Sequence, residues 1–477
     1  MNADAQNVTE QPVKLEGFAS KDLYRRRERI FTRFVGGFFQ RLQFFTGWPL
    51  LIGYFGLPWT NWSQQQAVLF DLTAREFHFF TLTFFPQDLW LLGWLLIIAA
   101  FALFTVTTLV GRLWCGFTCP QTVWTAIFMW MEQFAEGPRH TRMRLDNAPW
   151  TLNKVRKRLA KHSMWLGWAG LTGLTFVGYF TPIRELAADL LHFRASSWAI
   201  FWAVFFTAAT YVNAGWLREQ VCIYMCPYAR FQAAMLDKDT LVVSYHATRG
   251  EPRGARKRNA STKQHASRLG DCINCELCVQ VCPVGIDIRD GLQYQCIGCA
   301  HCIDACDEVM TKMDYPTGLV GYTTQRELSG SKTQWLRPRA IGYGSALLIM
   351  ITAFSLAVVS RSALELDIVR ERGELSQVDA NNQTINQYRL KVLNKTQHDQ
   401  TYTIRAISDA PISIERSERL SRLLPNPAGE SMDFTLTLKS PRFALSQPSV
   451  SVTIELCEVD TGRCDSEQTT FFGSVLP

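Results

Sequence analysis

A doubled run of cysteines between Cys272 and Cys306 constrains the fold more than any other part of the chain. It holds eight of the fourteen cysteines. Its two halves read DCINCELCVQVCP and QCIGCAHCIDAC, so each has the spacing Cys-x2-Cys-x2-Cys-x3-Cys. Such a loop points three thiolates at one compact object and takes the fourth from elsewhere, as a cubane 4Fe-4S cluster requires. The run therefore predicts two 4Fe-4S clusters.

The fourth ligand of each cluster is expected to come from the other run, as is typical of this doubled spacing. Pro283 follows the first run as the pattern requires, whereas Asp307 replaces the second proline, which removes no ligand. Zinc is disfavoured, because zinc ribbons do not usually repeat a third and a fourth cysteine at these spacings. The expected ligand sets are Cys272, Cys275, Cys278 and Cys306 for one cube, and Cys296, Cys299, Cys302 and Cys282 for the other.

Long apolar segments predict that the chain crosses a membrane. The composition, 47% hydrophobic with 15 Trp and 31 Phe, is too apolar for an ordinary soluble enzyme. A helix needs roughly 20 apolar residues to cross the bilayer core. Five segments are predicted to do so, and buried soluble helices do not explain all five: Leu42–Leu57, Leu89–Val110, Ser163–Thr181, Ala195–Leu217 and Ala340–Ser360.

Lysine and arginine accumulate on one side of these segments. Residues 21–33 and 139–161 are rich in both, whereas the connection from Pro58 to Asp88 has only Arg75. Because cytoplasmic loops carry the excess of positive residues, we expect the N-terminus and the cysteine-rich segment in the cytoplasm. After five spans the C-terminus then lies across the membrane. The net charge of +7 is a topology signal rather than a sign of nucleic-acid binding.

Two matching motifs stand at the ends of the second and fourth apolar segments. They are CGFTCP at 115–120 and CIYMCP at 222–227. Positions four apart share a face of a helix, so we expect each motif to present two sulfurs side by side and the two motifs to form a four-thiol site. Glu132, in the apolar run 128–134, is either a functional carboxylate near this site or an interfacial one. The four cysteines are Cys115, Cys119, Cys222 and Cys226.

The chemistry of this four-thiol site has several interpretations. Soft thiolates favour Cu(I). A disulfide and dithiol couple accepts two electrons, and four cysteines are also sufficient for another iron–sulfur centre. Plain buried thiols are the structural alternative. The spacing alone does not separate these interpretations.

After Arg361 the pattern changes to alternating apolar and polar residues, as in QYRLKVLN and SVSVTIELC. About 110 residues of such strands, separated by turn residues, predict a small β-sandwich. Cys457 and Cys464 flank EVDTGR, a predicted hairpin turn. Outside the cytoplasm these two cysteines can form a disulfide, and the alternative is two free thiols.

The fold class predicted for the whole chain is an α-helical membrane protein with five transmembrane helices, an inserted two-cluster ferredoxin-like α+β domain and a C-terminal Ig-like β-sandwich. The first Cys-x3-Cys-Pro motif falls in the four-helix region, and the second falls in the segment that follows. The expected boundaries are a cytoplasmic basic tail (1–38), a four-helix transmembrane region (39–217), a cytoplasmic segment with the ferredoxin domain (218–339), a fifth transmembrane helix (340–360) and a periplasmic β-sandwich (361–477).

The order of these elements resembles the CcoG/FixG/RdxA family of cytochrome c oxidase accessory proteins. The doubled cysteine run alone indicates a ferredoxin, but its combination with CGFTCP and CIYMCP is much more specific. The resemblance implies a bacterial inner-membrane cupric reductase that converts Cu(II) to Cu(I) for the assembly of a cbb-type oxidase. Copper is then the substrate, and the catalytic, copper-binding thiols are those of Cys115, Cys119, Cys222 and Cys226.

The same resemblance implies partners. Copper would be exchanged with a cytoplasmic copper chaperone and a copper-exporting P-type ATPase, alongside assembly factors of the cbb-type oxidase. An unidentified electron donor completes the set, and a homodimer is compatible with the sequence. Nucleic acid is not expected as a partner.

Two other functions are compatible with the sequence. Relatives of the NapH and NosR type have similar membrane motifs and feed electrons to nitrate or nitrous oxide respiration, so the membrane part would exchange electrons with quinone. Alternatively, the protein is a non-catalytic assembly scaffold or copper carrier with structural clusters. Redox-active clusters without copper reduction would favour quinone, and clusters that cannot be cycled would favour the scaffold.

The charge asymmetry provides a test of the topology. A reporter that works only in the periplasm should be active when fused after Pro477 and inactive when inserted near Gly250, because five predicted spans precede the first position and four precede the second. Activity at Gly250, or none after Pro477, contradicts the five-span arrangement.

Overall fold

The structure is a computed structural model, and it describes residues 29–62, 65–256, 269–361, 364–370, 376–379, 381–395, 399–415, 424–426, 431–442, 445 and 447–473. The basic residues 21–28 of the tail and residues 257–268 of the basic loop before Cys272 lie outside the described residues. The chain forms two compact units, one of residues 1–60 and 92–352 and one of residues 61–91 and 353–477.

Most of the first unit is helical. Single 3-10 turns occur at Leu57–Trp59, Pro86–Asp88 and Ile288–Asp290, and π-helical segments at Tyr211–Leu217 and Val221–Met225. The α-helices among the described residues are Phe38–Gly56, Leu89–Val110, Leu113–Phe117, Pro120–Glu136, Arg139–Asn147, Leu152–Val177, Ile183–Leu191, Ser197–Thr210, Pro227–Met235, Ala247–Gly250, Leu277–Gln280, His301–Lys312, Gln325–Leu328 and Pro338–Val359.

Within the described residues, three helical segments are long and apolar enough to cross a membrane: Pro86–Val110, Ser197–Leu217 and Pro338–Val359. They correspond to the second, fourth and fifth predicted spans, and they indicate a membrane protein. The other two predicted spans coincide largely with the helices Phe38–Gly56 and Leu152–Val177. Trp, Gly and polar residues lower the mean hydropathy of these two helices, so five transmembrane helices stay a prediction.

The helices Leu152–Val177 and Ser197–Thr210 approach closely at Gly173. A Cβ on Gly173 would lie 2.6 Å from the carbonyl oxygen of Ala203 and 2.6 Å from Oγ1 of Thr207. Small residues allow helices to approach in this way inside a membrane. A Cβ on Gly170, which lies one turn earlier, would meet nothing within 4 Å. Gly173 and Gly170 therefore have different roles.

The cysteine-rich segment includes a two-stranded antiparallel sheet. Val242–Tyr245 pairs with Val320–Thr323, and Val243 lies opposite Tyr322. The core beside this sheet contains both strands and the helix His301–Lys312. The segment therefore combines a small sheet with short helices, as an α+β ferredoxin-like domain requires.

The buried carboxylate of Asp304 docks this segment on the first long helix. It accepts hydrogen bonds from the backbone N–H groups of Phe39 at 3.1 Å and Gln40 at 2.9 Å. These N–H groups lie in the first turn of the helix Phe38–Gly56, which offers no side-chain cap of its own. Gly37 makes room for the carboxylate, since a Cβ there would lie 2.1 Å from Cγ of Asp304. An acidic side chain also favours the positive end of a helix.

The second unit is built mainly from β-strands. Five short strands precede its C-terminal part: Asn61–Trp62, Gln65–Gln66, Val68–Asp71, Glu76–Phe79 and Leu82–Phe84. The last three of them form an antiparallel sheet in sequence order. In this sheet Phe77 lies opposite Phe70, and Phe79 lies opposite Val68.

The C-terminal strands form two antiparallel sheets that bury one core. Fully buried side chains from both sheets meet in it, including Tyr388, Leu436, Ile454 and Phe471. This shared core confirms the predicted β-sandwich. One sheet has the order Ser413–Ile414, Ser431–Pro441, Gln383–Asn394, Leu364–Arg370, with Gln377–Val378 paired to the third, and the other has the order Leu424–Asn426, Gln400–Ile407, Ser449–Glu458, Cys464–Phe472.

The contrast between Gly173 and Gly170 can be tested by matched substitutions. Gly173→Ala should destabilise the protein by about 1–3 kcal/mol, because the new methyl group overpacks the helix contact. Gly170→Ala should be neutral or stabilise by up to about 1 kcal/mol, because alanine has the higher helix propensity. Thermal unfolding of both variants in the same detergent measures the difference, and equal melting temperatures would show that the close approach is unimportant.

Candidate functional site

The first Cys-x3-Cys-Pro motif lies at a break between two helices. Cys115 is in the short helix Leu113–Phe117, and Cys119 precedes the helix Pro120–Glu136 in a non-helical conformation, with φ −59° and ψ 128°. The expectation of two sulfurs on one helical face is therefore wrong. Proline disfavours the α conformation in the residue before it and is well tolerated at the first helical position. Pro120 thus ends one helix and begins the next.

The second motif repeats this arrangement. Cys222 lies in the π-helical segment Val221–Met225, and Cys226 precedes the helix Pro227–Met235 with φ −80° and ψ 111°. The same proline effect separates its two cysteines, so the helical-face expectation is wrong here also. Short π-helical segments are frequent at functional sites, and the sequence pattern did not predict this one.

The structure brings the two motifs together. The Cys115 thiol donates to Oε1 of Gln232 at 3.4 Å, and Gln232 lies in the helix that follows Cys226. Burial and, to a smaller extent, the neighbouring thiols of Cys119, Cys115 and Cys226 raise the pKa of Cys222 to about 12. The thiol of Cys222 is therefore within electrostatic reach of the other three.

The spacing of these four sulfurs is wide. Within the described part of the chain, only Glu455, Cys457 and Cys464 form a group of three potential metal ligands whose atoms lie within 4.8 Å of one another. No three sulfurs of the two motifs do so. The four sulfurs are thus not gathered around a single point.

The group in the β-sandwich has a different character. Cys457 lies opposite Cys464 in the terminal hairpin, and a disulfide of 2.06 Å joins them. Since both sulfurs are bonded to each other, neither is a free thiolate for a metal. Of the two alternatives that the sequence allowed, the structure has the disulfide.

The eight cysteines of the doubled run line two adjacent cavities. Both cavities are partly open to solvent. Cys278 lines both cavities, and most of the remaining lining is apolar. The other cysteines are Cys272, Cys275 and Cys306 in the first cavity, and Cys282, Cys296, Cys299 and Cys302 in the second.

The loops that carry these cysteines repeat one backbone conformation. Asn274 and Glu276 in the first run have φ of 56° and 57°, and Gly298 and Ala300 in the second have φ of 69° and 60°. Left-handed conformations are uncommon for residues with a Cβ and persist where the surroundings demand them. Both loops are therefore held in a shape that turns successive thiols toward the same cavity.

The character of the thiols fits an iron–sulfur cluster in each cavity. Burial raises the pKa of Cys278 to about 12 and that of Cys282 to about 11, so these thiols are neutral unless a metal takes the place of the proton. The backbone N–H groups of Ile286, Val284 and Gly285 point at the sulfur of Cys282. Such hydrogen bonds to sulfur are typical of iron–sulfur sites. The domains and their cysteines fit two clusters.

The first motif lies against the second of these cavities. A Cβ on Gly116 would lie 2.7 Å from the carbonyl oxygen of Gly298 and 2.9 Å from Cα of Cys299. Cys115 packs against the same apolar cluster as Cys282 and Cys299. The four-thiol site and the second cysteine cavity therefore share a wall.

Glu132 is buried in a network of positive side chains. It pairs with Arg218 at 2.7 Å, with Arg29 at 2.8 Å and with Arg142 at 3.4 Å. Burial alone would raise the pKa of Glu132, but Arg218, Lys161 and Arg142 more than offset this effect, and the pKa falls to about 2. The carboxylate is ionised at every physiological pH. Glu132 is a structural anion that joins helices, rather than an interfacial residue or a proton carrier.

Two residues of the site could not be predicted from the spacing of the cysteines. Arg112 lies in the turn between the helices Leu89–Val110 and Leu113–Phe117, and it is 9% exposed. Gln232 is fully buried beside Cys115. The one available signal is a charged residue at the end of an apolar span, and that position ordinarily indicates the membrane interface.

Comparison with known proteins gives three matching family models. Residues 217–325 match a model described as "4Fe-4S dicluster domain", and residues 92–135 match one described as "4Fe-4S binding domain". Residues 354–474 match the model described as "IG-like fold at C-terminal of FixG". The region 92–135 includes Cys115 and Cys119.

Similar proteins are known over most of the chain. The "Nitrogen fixation protein FixG" of Rhizobium meliloti is 38% identical over 80% of this chain and 80% of its own length. "Protein RdxB" of Cereibacter sphaeroides is 38% identical over 87% of this chain and 89% of its own length. A crystal structure of a FixG-related protein from Vibrio parahaemolyticus covers 24% of this chain and 100% of its own length, with 18% identity and a TM-score of 0.22.

The buried network around Glu132 leads to a stability prediction. Glu132→Gln should destabilise the protein by about 3–5 kcal/mol, because it leaves buried cations without their anion. Asp146, which pairs with Arg29 and Arg158 and is 37% exposed, is the matched control, and Asp146→Asn should cost less than about 1 kcal/mol. Thermal unfolding in detergent measures both, and a Glu132→Gln protein as stable as the control contradicts the structural role.

Proposed function

The chain belongs to the CcoG/FixG/RdxA family of iron–sulfur redox proteins, and we propose that it is a membrane-bound cupric reductase that converts Cu(II) to Cu(I). The observation that carries the proposal is the position of the four-thiol site, which shares a wall with the second cysteine cavity through Gly116 and Gly298. Two sites that exchange single electrons must lie close together. The contact between Gly116 and Gly298 brings the four-thiol site and the second cysteine cavity close together.

The ligand sets belong to the proposal. One cluster would be held by Cys272, Cys275, Cys278 and Cys306, and the other by Cys296, Cys299, Cys302 and Cys282. This assignment is supported by the cavities, since each set lines one of them. When bound, 4Fe-4S clusters supply one-electron transfer at potentials set by charge, hydrogen bonds and exposure. The chain itself keeps the thiols of both sets in a largely apolar setting and directs backbone N–H groups at the sulfur of Cys282.

Copper would be bound as substrate at the Cys-x3-Cys-Pro motifs. Cu(II) takes up one electron from a cytoplasmic one-electron donor by way of the protein, and the product Cu(I) is the softer ion that thiolates prefer. Burial raises the pKa of Cys115 to about 11, so each thiol that binds copper releases a proton. The hydrogen bond to Gln232 orients the Cys115 thiol within the site.

The proposed setting is the bacterial inner membrane, with the cysteine-rich domain in the cytoplasm and the β-sandwich in the periplasm. The charge asymmetry of the loops supports this orientation. Partners with suitable chemistry are a cytoplasmic copper chaperone, a copper-exporting P-type ATPase and assembly factors of a cbb-type oxidase. The disulfide of Cys457 and Cys464 is compatible with an oxidising compartment.

A second candidate places a third 4Fe-4S cluster at the four-thiol site. The match of residues 92–135 to a 4Fe-4S binding model favours it, as does the wide spacing of the four sulfurs. The protein would then be an electron conduit, and quinone would be the natural partner in the membrane. Copper reduction is the preferred proposal because the paired motifs lie at the surface end of apolar helices, where a soluble ion has access.

The proposal predicts the activity of a variant in which one motif has lost both thiols. The double variant Cys115→Ala with Cys119→Ala should keep both clusters reducible and lose Cu(II) reduction, because a soft ion is left with at most two thiolates. The matched control is Cys457→Ala with Cys464→Ala, which also removes two cysteines and should keep the activity.

The measurement is Cu(II) reduction per folded molecule, together with the spectrum of the reduced clusters. Copper reduction at the wild-type rate in a well-folded motif variant would remove the four thiols from the mechanism. A lower protein level with unchanged turnover would assign them a structural role only.

A further inference from the structure

Arg112 is a buried cation at the junction of the two thiol sites. Its guanidinium donates to the backbone carbonyl oxygens of Tyr294 and of Cys296, the latter at 3.1 Å. It also donates to the carbonyl oxygen of Ala229 at 2.6 Å, in the helix that follows Cys226. One side chain thus contacts the second cysteine run and the second motif, and its own backbone precedes the first motif.

Arg112 has no carboxylate partner within 4.0 Å among the residues that the structure describes. The other two arginines that are buried there each have one, since Arg142 pairs with Glu132 and Arg337 with Asp237. A buried charge without a partner is strongly unfavourable. Three carbonyl dipoles reduce this cost but supply no net negative charge.

The negative groups available to Arg112 are thiolates. Burial lowers the pKa of its guanidinium, and the nearby sulfurs of Cys115, Cys296 and Cys222 oppose that effect. These sulfurs belong to both thiol sites. Cysteines that hold a metal are thiolates, and a cubane cluster with four thiolates has a net negative charge that grows on reduction. The buried cation is therefore matched to metal-bound thiolates.

The side chain of Gln43 also connects the two sides of this junction by hydrogen bonds. Gln43 donates from Nε2 to the carbonyl oxygen of Gly116 at 2.8 Å, and its Oε1 accepts from Nε2 of His301 at 2.9 Å. One side chain of the helix Phe38–Gly56 therefore connects the first motif to the second cysteine run. Gln43 and Arg112 therefore each contact the second cysteine run close to the first motif.

We propose that Arg112 is a shared positioning and charge-compensating residue, which holds the second cysteine set against the Cys-x3-Cys-Pro site and stabilises negative charge on both. The inference rests on the proposed ligand sets. It predicts that the cluster of Cys282, Cys296, Cys299 and Cys302 owes part of its reduction potential to Arg112. The other cluster should be independent of this residue.

The test uses the full-length protein in detergent and redox titration followed by electron paramagnetic resonance. The cluster signal that changes in Cys282→Ala protein identifies the second set. In Arg112→Gln the potential of that cluster should shift to a more negative value, because a nearby cation favours the reduced state. The potential of the other cluster should be unchanged, and Arg112→Lys should show a smaller shift because it keeps the charge.

The matched control is Arg337→Gln, which removes a buried arginine that pairs with Asp237. It should leave both potentials unchanged. Unchanged potentials in an iron-complete Arg112→Gln protein would overturn the inference. If Arg112→Gln loses iron from the second set, Arg112→Lys decides: retained iron supports charge compensation, and an equal loss overturns it.

This outcome is separate from that of the copper proposal. Arg112 is not a copper ligand, and the potentials are measured without copper. Unchanged potentials would therefore leave the cupric reductase proposal standing. Conversely, copper reduction by a protein without the Cys115 and Cys119 thiols would end that proposal without affecting the role of Arg112 beside the cluster.

Discussion

The close contact of two backbones at Gly116 and Gly298 is the constraint on which the arrangement of the site depends. A Cβ on Gly116 would lie within 3 Å of main-chain atoms of Gly298 and Cys299, and main-chain atoms in a tight loop cannot move aside. Gly298 itself has a φ of 69°, which glycine adopts at little cost. Because both positions are glycine, Cys115 packs beside Cys282 and Cys299. Larger side chains would separate the two thiol sites.

Near this contact, buried positive charge is compensated in two different ways. Around Glu132 the positive side chains of Arg29, Arg142 and Arg218 share a protein carboxylate, so each of these cations has a counter-ion within the chain. At Arg112 the described residues supply only carbonyl oxygens. The first network joins helices and the second faces the thiols. This difference distinguishes a structural cluster of charges from a cation placed for a cofactor.

The spacing of the cysteines predicted much of the site, because metal chemistry is local in sequence. The sandwich after Arg361 and the approach of the two motifs both followed from short patterns, and the crossed sets of the doubled run stay a prediction. Backbone geometry at the motifs did not, since the i, i+4 rule assumes an unbroken helix and Pro120 and Pro227 each begin a new one. Tertiary contacts such as that of Arg112 with Cys296 join residues 184 apart, and no local pattern encodes them.

The central claim is that the Cys-x3-Cys-Pro thiols receive copper while the doubled run holds iron. The most direct measurement is the iron and copper content of the purified protein, with X-ray absorption at the copper edge after incubation with Cu(II) and a reductant. The account predicts about eight iron atoms per chain, as two cubane clusters require, and copper present as Cu(I) with sulfur ligands. About twelve iron atoms per chain with no bound copper would contradict it, because the four thiols would then hold a third cluster.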